Sequence, residues 1–234
     1  MEFGEFLAKQ EQIYARFRAQ EAVVRQQGLI PDAAVQNELG GFVIAWKHPP
    51  SRARAVAELS REIGEIVPVM EYSAWSVHTT LSDHRVSPGF EVNVGSEEHW
   101  NTLQALSAGA KKAVHDAADK NLPQCEVHYT APWLCNQTTV IAQGVPNVAF
   151  MALGDAVRSA CQERGIELRP PWGAHITVAR FRTRADPKKA ESLLELLQAT
   201  SPLGTSVPET LEVGSFSMAG GNFTYEVHQR LPLE

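Results

Sequence analysis

Two seven-residue stretches determine how this sequence is interpreted: W-S-V-H-T-T-L at 75–81 and W-G-A-H-I-T-V at 172–178. In each, a tryptophan precedes a histidine by three residues and a threonine follows it by two. The separation between His78 and His175 equals that between Thr80 and Thr177. This agreement indicates an internal duplication with one copy of the motif in each half of the chain.

Each stretch is predicted to form a β-strand, because both are rich in β-branched and aromatic residues. Side chains alternate along a strand, so His78 shares a face with Thr80, and His175 shares a face with Thr177. The opposite face is wholly apolar in the second strand and less consistently so in the first. Those positions are Ala174, Ile176 and Val178 in the second strand and Val77, Thr79 and Leu81 in the first.

A single H-x-T pattern is common in ordinary sheets, but two copies in register favour a functional site. Two imidazoles in one cleft suit a reaction that removes one proton and adds another near neutral pH. Hydroxyls two residues further on can donate hydrogen bonds to a bound anion. The pattern therefore predicts phosphate-ester chemistry in which one histidine is the base, the other is the acid, and Thr80 and Thr177 hold phosphoryl oxygens.

The two H-x-T-x tetrapeptides resemble the paired motifs of the two-histidine (2H) phosphoesterase superfamily, which includes RNA 2′,3′-cyclic phosphodiesterases, also called 2′-5′ RNA ligases. The second copy continues to Ala179-Arg180, similar to the family's H-x-T-x-A-R extension. The resemblance implies a bilobal, duplicated α+β fold in which two antiparallel sheets form a central cleft with helices outside. It also implies that His78 and His175 are catalytic, that Thr80 and Thr177 bind phosphate, and that no metal or cofactor is needed.

The substrate implied by this resemblance is a nucleoside or a short RNA end carrying a 2′,3′-cyclic phosphate, or a 2′-5′ phosphodiester. Two alternatives stay open. A binding module could retain the pocket for nucleotides or RNA ends without turnover, and a metal-dependent hydrolase could use Asp83 and His84 beside the two motif histidines.

Three further residues are candidates for binding the substrate. Arg180 is at an odd offset from His175, yet it is close enough to the strand end to reach an anion. Trp172 packs in the core if the strand is continuous, and faces the site if the chain bends at Gly173. Tyr225 is placed near a nucleoside pocket by the family resemblance.

The composition is that of a globular protein: 234 residues, 44% hydrophobic, with a formal net charge of −6 and a mean hydropathy of −0.21. The negative charge argues against binding along a DNA duplex. No apolar run is long enough for a membrane span, and the start lacks a signal sequence, so we expect a cytoplasmic protein. Three cysteines without C-x-x-C spacing favour buried free thiols.

The remaining pattern predicts an N-terminal amphipathic helix and connector at 1–40, followed by the phosphoesterase-like domain at 41–234. The helix could cover a sheet face, form a contact for oligomerisation, or act as a lid. Recurring strand pairs with short turns favour an α+β fold with antiparallel sheet. Helices are predicted at 51–65, 96–117, 147–165 and 186–197; strands are predicted at 41–47, 67–81, 125–134, 137–145 and 172–181, with a loop at 82–89 and a terminal hairpin around Gly220-Gly221-Asn222.

Overall fold

The structure, a computed structural model, describes residues 2–90, 96–119 and 123–233. The helices are α1 Phe3–Gln27, α2 Ala33–Gln36, α3 Pro50–Ile66, α4 Glu97–Asp119, α5 Val148–Gln162 and α6 Pro187–Ala199. The strands are β1 Leu39–Lys47, β2 Val69–Glu71, β3 His78–Pro88, β4 Val127–Tyr129, β5 Leu134–Cys135, β6 Thr139–Ala142, β7 Val145–Pro146, β8 Ile176–Phe181, β9 Gly204–Ser206, β10 Thr210–Ser217 and β11 Thr224–Pro232. Within these residues, no helix has both the length and the apolar character needed to cross a membrane.

The strands form an eight-stranded sheet and a three-stranded sheet. The larger sheet has the order β11-β10-β1-β3-β8-β6-β5, with β2 also paired to β8, and the smaller has the order β7-β4-β9. Every strand pair in the described part of the chain is antiparallel. The predicted α+β class with antiparallel sheet is therefore confirmed. The two halves of the large sheet, one per motif, meet where Thr79 of β3 pairs with Ile176 of β8.

Local sequence signals explain where several elements begin and end. The side chain of Asn147 accepts a hydrogen bond from the backbone of Phe150 at the start of α5, and Asp186 accepts one from Lys189 at the start of α6. These contacts satisfy amide groups that have no partner within a helix. The turn between β10 and β11 uses Gly220 and Gly221, both at positive φ, where glycine has no steric penalty.

The predicted loop at 82–89 is wrong, because β3 continues through these residues to Pro88. Asp83 and His84 pair with Val43 and Phe42 of β1. Relative to β1, β3 has one extra residue near Arg85, whose φ is 49°. This residue forms a β-bulge, which accommodates the turn-forming sequence within the strand. Pairing with a buried central strand has therefore outweighed the loop character of this polar segment.

The strands predicted over both tryptophans also begin later than expected. Residues 73–77 form a turn, and β3 starts at His78. The segment Trp172–His175 lies outside β8, which starts at Ile176. The two histidines therefore lie where each chain segment enters its strand, and the alternation rule does not extend back to Trp75 or Trp172.

The N-terminal helix α1 covers one face of the second half of the large sheet, the first of the three roles considered. Tyr14 packs on Leu134 of β5 and Ile141 of β6. Phe6 contacts Phe150 of α5, with ring centroids 6.4 Å apart. These contacts make α1 part of the packed body of the protein.

Candidate active site

The side chains of both motifs line one cleft of about 350 Å³. His78 and Thr80 belong to β3, whereas His175 directly precedes β8 and Thr177 lies at its start. The antiparallel pairing of Thr79 with Ile176 places the two motifs side by side where β3 meets β8. The structure thus brings the four motif residues together, as the alternation of side chains led us to expect.

Both histidines have the same hydrogen-bonding arrangement at the ring. Nδ1 of His78 lies 2.7 Å from the carbonyl oxygen of Ser76, and Nδ1 of His175 lies 3.2 Å from that of Gly173. A carbonyl oxygen can only accept, so each Nδ1 carries a proton and donates it. In the neutral imidazole, Nε2 is then the nitrogen that can accept a proton.

Burial lowers the pKa of His78 to about 4 and the pKa of His175 to about 3, because an imidazolium is poorly solvated in the cleft. Positive charge nearby adds to the effect. Lys47 and Arg180 lower the pKa of His78, and Arg180 lowers the pKa of His175. Both histidines are therefore neutral at pH 7.

Anion binding should therefore be coupled to proton uptake. A bound anion stabilises an imidazolium and raises its pKa, so the protonated cleft binds more tightly and affinity rises as pH falls from 8 towards 5. Sulfate does not titrate in this range, and its affinity should increase by up to about tenfold per pH unit where one proton is taken up.

Calorimetry in two buffers of different ionisation enthalpy measures the uptake directly. An uptake of zero at every pH would contradict this coupling, and His115→Gln, at an exposed histidine on α4, is the matched control for His78→Gln and His175→Gln.

Arg180 also lines the cleft, although it is at an odd offset from His175. The reason is a β-bulge in β8: Ile141 pairs with Thr177 and Val140 pairs with Ala179, which leaves Val178 as an extra residue. Because of this extra residue, the side chain of Arg180 lies on the same face of the sheet as that of Thr177. A fixed guanidinium in the same cleft as the two threonines provides positive charge for a phosphate.

Two residues that the sequence analysis missed hold Arg180 in place. Its Nη1 donates to Oδ2 of Asp32 at 2.8 Å, and its Nε donates to Oη of Tyr72 at 3.3 Å. Asp32 is 5% exposed and also accepts hydrogen bonds from the backbone of Ala34 and the hydroxyl of Thr139. Asp32 lies in the connector after α1, where its pairing with a distant arginine leaves no local sequence signal.

The two motif tryptophans differ in their surroundings, and neither packs in the core as a continuous strand would require. Trp75 is 54% exposed and lies against Arg230, whose guanidinium carbon is 4.3 Å from the ring centroid. Trp172 is 38% exposed, lines the cleft and stacks on His175, with ring centroids 3.8 Å apart. The bend before β8 turns Trp172 towards the site.

Tyr225 lies beneath the first histidine rather than on the cleft wall. Its ring stacks on His78 with centroids 5.2 Å apart, and burial raises its pKa well above the ordinary value. The cleft wall is instead formed by aromatic side chains that the sequence analysis did not select: Tyr72, Phe216 and Phe223. Phe223 lies two residues before Tyr225 on the predicted hairpin. This spacing was the sequence signal that could have identified Phe223.

A buried polar network joins the two halves behind the histidines. Oγ1 of Thr79 donates to the backbone carbonyl of His175 at 3.2 Å and lies 2.6 Å from the hydroxyl of Tyr129. Nε2 of His48 lies 3.0 Å from the same Thr79 oxygen, and Nδ1 of His48 lies 2.9 Å from the hydroxyl of Ser206. Since Thr79 has one proton to donate, Tyr129 and His48 donate to it, and Ser206 donates to His48.

Asp83 and His84, considered above as metal ligands, have other partners. Asp83 pairs with Nε of Arg169 at 2.5 Å, and Nδ1 of His84 lies 2.8 Å from the carbonyl oxygen of Glu167. In residues 2–90, 96–119 and 123–233, no three histidine, cysteine, aspartate or glutamate side chains are grouped so that they could hold a metal ion.

No protein-family model and no curated protein sequence matches the chain. Several solved structures are similar to it. Escherichia coli LigT, solved in complex with phosphate, is 16% identical with a TM-score of 0.46, covering 84% of this chain and 98% of LigT. The Thermus thermophilus protein TT0787 is 14% identical with a TM-score of 0.49, covering 82% and 97% of the two chains.

A third structure, described as a phosphoesterase, is 16% identical with a TM-score of 0.47, covering 84% of this chain and 99% of the other. With identities of 14–16% and TM-scores of 0.46–0.49, these similarities carry no argument about function. The function proposed below therefore rests on the residues of the cleft.

Proposed function

We propose that this protein is a metal-independent phosphodiesterase of the two-histidine type that hydrolyses a nucleoside or RNA-terminal 2′,3′-cyclic phosphate. The observation that supports this proposal is the arrangement of two neutral histidines with matching tautomers in one cleft. A pair of imidazoles that can exchange roles suits a reaction in which one oxygen loses a proton and another gains one.

In the proposed reaction, Nε2 of one histidine accepts a proton from the attacking water. The water oxygen bonds to phosphorus, the bond from phosphorus to one ribose oxygen breaks, and the second histidine, as the imidazolium, protonates that oxygen. Thr80 and Thr177 donate hydrogen bonds to the non-bridging oxygens, and Arg180 balances their charge. The imidazolium is formed when the anionic substrate binds, since both pKa values are low without an anion beside the rings.

The apolar wall of the cleft supports a nucleoside as the remainder of the substrate. Phe223 packs on Tyr72 with ring centroids 4.8 Å apart and on Phe216 with centroids 5.9 Å apart. These rings adjoin the histidines and offer stacking surface for a base. A base placed here would lie next to His78, since the rings of Phe223 and His78 stack with centroids 5.9 Å apart.

Turnover of the four nucleoside 2′,3′-cyclic monophosphates, and of a short RNA with a cyclic phosphate end, tests the proposal. We expect turnover in excess chelator, with a 2′- or 3′-monophosphate as the product. A 2′-5′-linked dinucleotide in the same assay tests the nearest other bond. Folded protein that binds nucleotides without turning over any of these substrates would refute the enzyme proposal and favour a binding module.

A further inference from the structure

We propose that the N-terminal helix α1 is a positioning element of the active site that sets the ring orientation and tautomer of His175. This inference rests on the proposed function, and it concerns the part of the chain that precedes the motif-bearing domain. Two independent contacts support it, one through Gln10 and one through Trp172.

Gln10 contacts the peptide group that orients His175. It is 2% exposed, and its Oε1 accepts a hydrogen bond from the backbone N–H of Ala174 at 2.7 Å. The carbonyl of that same peptide group, belonging to Gly173, accepts the Nδ1 proton of His175. One peptide plane therefore connects the amide of Gln10 to the imidazole.

Such a chain is stronger than its separate bonds, because an N–H that donates makes the carbonyl of the same peptide a better acceptor. Gly173 permits the close approach: a Cβ there would lie 3.1 Å from Cγ of Gln10. With the N–H and the carbonyl both engaged, the peptide cannot rotate without breaking a buried hydrogen bond.

The second contact is an aromatic group that holds the face of His175. Trp172 stacks on the imidazole, and α1 supplies two rings against Trp172. Phe17 stacks on it with centroids 6.4 Å apart, and Tyr14 meets it at an interplanar angle of 79°. Tyr14 is itself fixed by hydrogen bonds between its hydroxyl and the backbone of Gly144 at 3.1 and 3.2 Å.

His78 has a different support. Its approach segment is held by Lys47, whose Nζ donates to the carbonyl oxygens of Ala74 at 2.9 Å and Val77 at 3.3 Å, and also to that of Trp75. Changes in α1 should therefore disturb His175 and leave His78 as it is. This asymmetry separates a positioning role from general destabilisation.

Gln10→Met tests the inference, since it keeps the side-chain length and removes the acceptor. The matched control is Gln12→Met, at an exposed position of the same helix. We expect Gln10→Met to lower kcat by about 10- to 100-fold, the range found for loss of a partner that orients a metal-binding histidine, with KM within threefold. Gln10→Glu, which keeps an acceptor oxygen, should recover most of the turnover.

Nitrogen NMR of the imidazoles supplies a readout that does not require turnover. In Gln10→Met, the Nδ1 and Nε2 signals of His175 should move towards a mixture of tautomers, while those of His78 stay as in the unchanged protein. Phe17→Leu loosens the stacking on Trp172 and should shift the same His175 signals. This variant replaces Gln10→Met in the test if Gln10→Met does not fold.

Unchanged His175 signals and unchanged kcat in both folded variants would overturn the inference. Equal shifts at His78 and His175 would also overturn it, because they would indicate general loosening. If the unchanged protein has no activity on cyclic phosphates, the proposed function fails, and the NMR comparison still decides whether α1 positions His175.

Discussion

Replacing either His78 or His175 by alanine should lower kcat for a 2′,3′-cyclic phosphate by about 10³-fold, within the range for loss of a general acid or base. Each imidazole is held by one backbone carbonyl in the tautomer that leaves Nε2 able to take a proton. No other histidine lines the described cleft. Water replacing the lost ring has neither the same position nor a pKa suited to the transfer. Steady-state kinetics in chelator measure the effect.

His115→Ala is the control for these two variants, because His115 is exposed on α4 and its loss should leave kcat within twofold. Substrate KM should change by only a few fold in the motif variants, since Thr80, Thr177 and Arg180 remain in the cleft. A double variant should be no more than slightly slower than either single one, because the two groups act in one step. Retention of more than a tenth of the activity in either single variant would contradict the mechanism.

Asp32→Ala should lower the free energy of unfolding by about 3–5 kcal/mol, the usual cost of leaving one member of a buried ion pair without its partner. Asp32 is buried, and it accepts hydrogen bonds from Arg180, Thr139 and the backbone of Ala34. Its removal leaves the Arg180 guanidinium without a counter-charge. Urea unfolding followed by circular dichroism measures the change.

Asp119→Ala is the matched control, since that carboxylate is 67% exposed at the end of α4, and it should change the free energy of unfolding by less than about 0.5 kcal/mol. The loss of unfolding free energy in Asp32→Asn should lie between those of Asp32→Ala and Asp119→Ala, because the amide oxygen still accepts hydrogen bonds while the charge is lost. A loss below about 1 kcal/mol in Asp32→Ala would show that Arg180 finds solvent or another partner, contrary to the contacts described here.

The sequence was sufficient to predict that His78, Thr80, His175 and Thr177 share one cleft. Side-chain alternation depends on backbone geometry alone, and both motifs adjoin paired strands. The α+β class, the long helices and the terminal hairpin were also predictable, since helix caps and glycine turns are local signals. These features need no knowledge of distant contacts.

The sequence alone was insufficient where a distant contact decides the local structure. Segment 82–88 is strand because β1 lies beside it, and Arg180 faces the cleft because an extra residue at Val178 shifts the alternation. The partners of Arg180, Asp32 and Tyr72, lie far from it along the chain. Bulges and long-range pairs of this kind leave no periodic pattern that a single sequence can show.

The middle residue of the first motif has a consequence for the symmetry of the protein. Thr79 lies in the variable position of H-x-T, yet its hydroxyl supports the backbone of the opposite histidine, His175. Its counterpart Ile176 has no hydroxyl to return the contact. The two halves are therefore not equivalent: a chain with the two middle residues exchanged would keep both motifs and leave Tyr129 and His48 facing an isoleucine. The two copies of the motif therefore have different structural roles, and the first half of the chain supports the second.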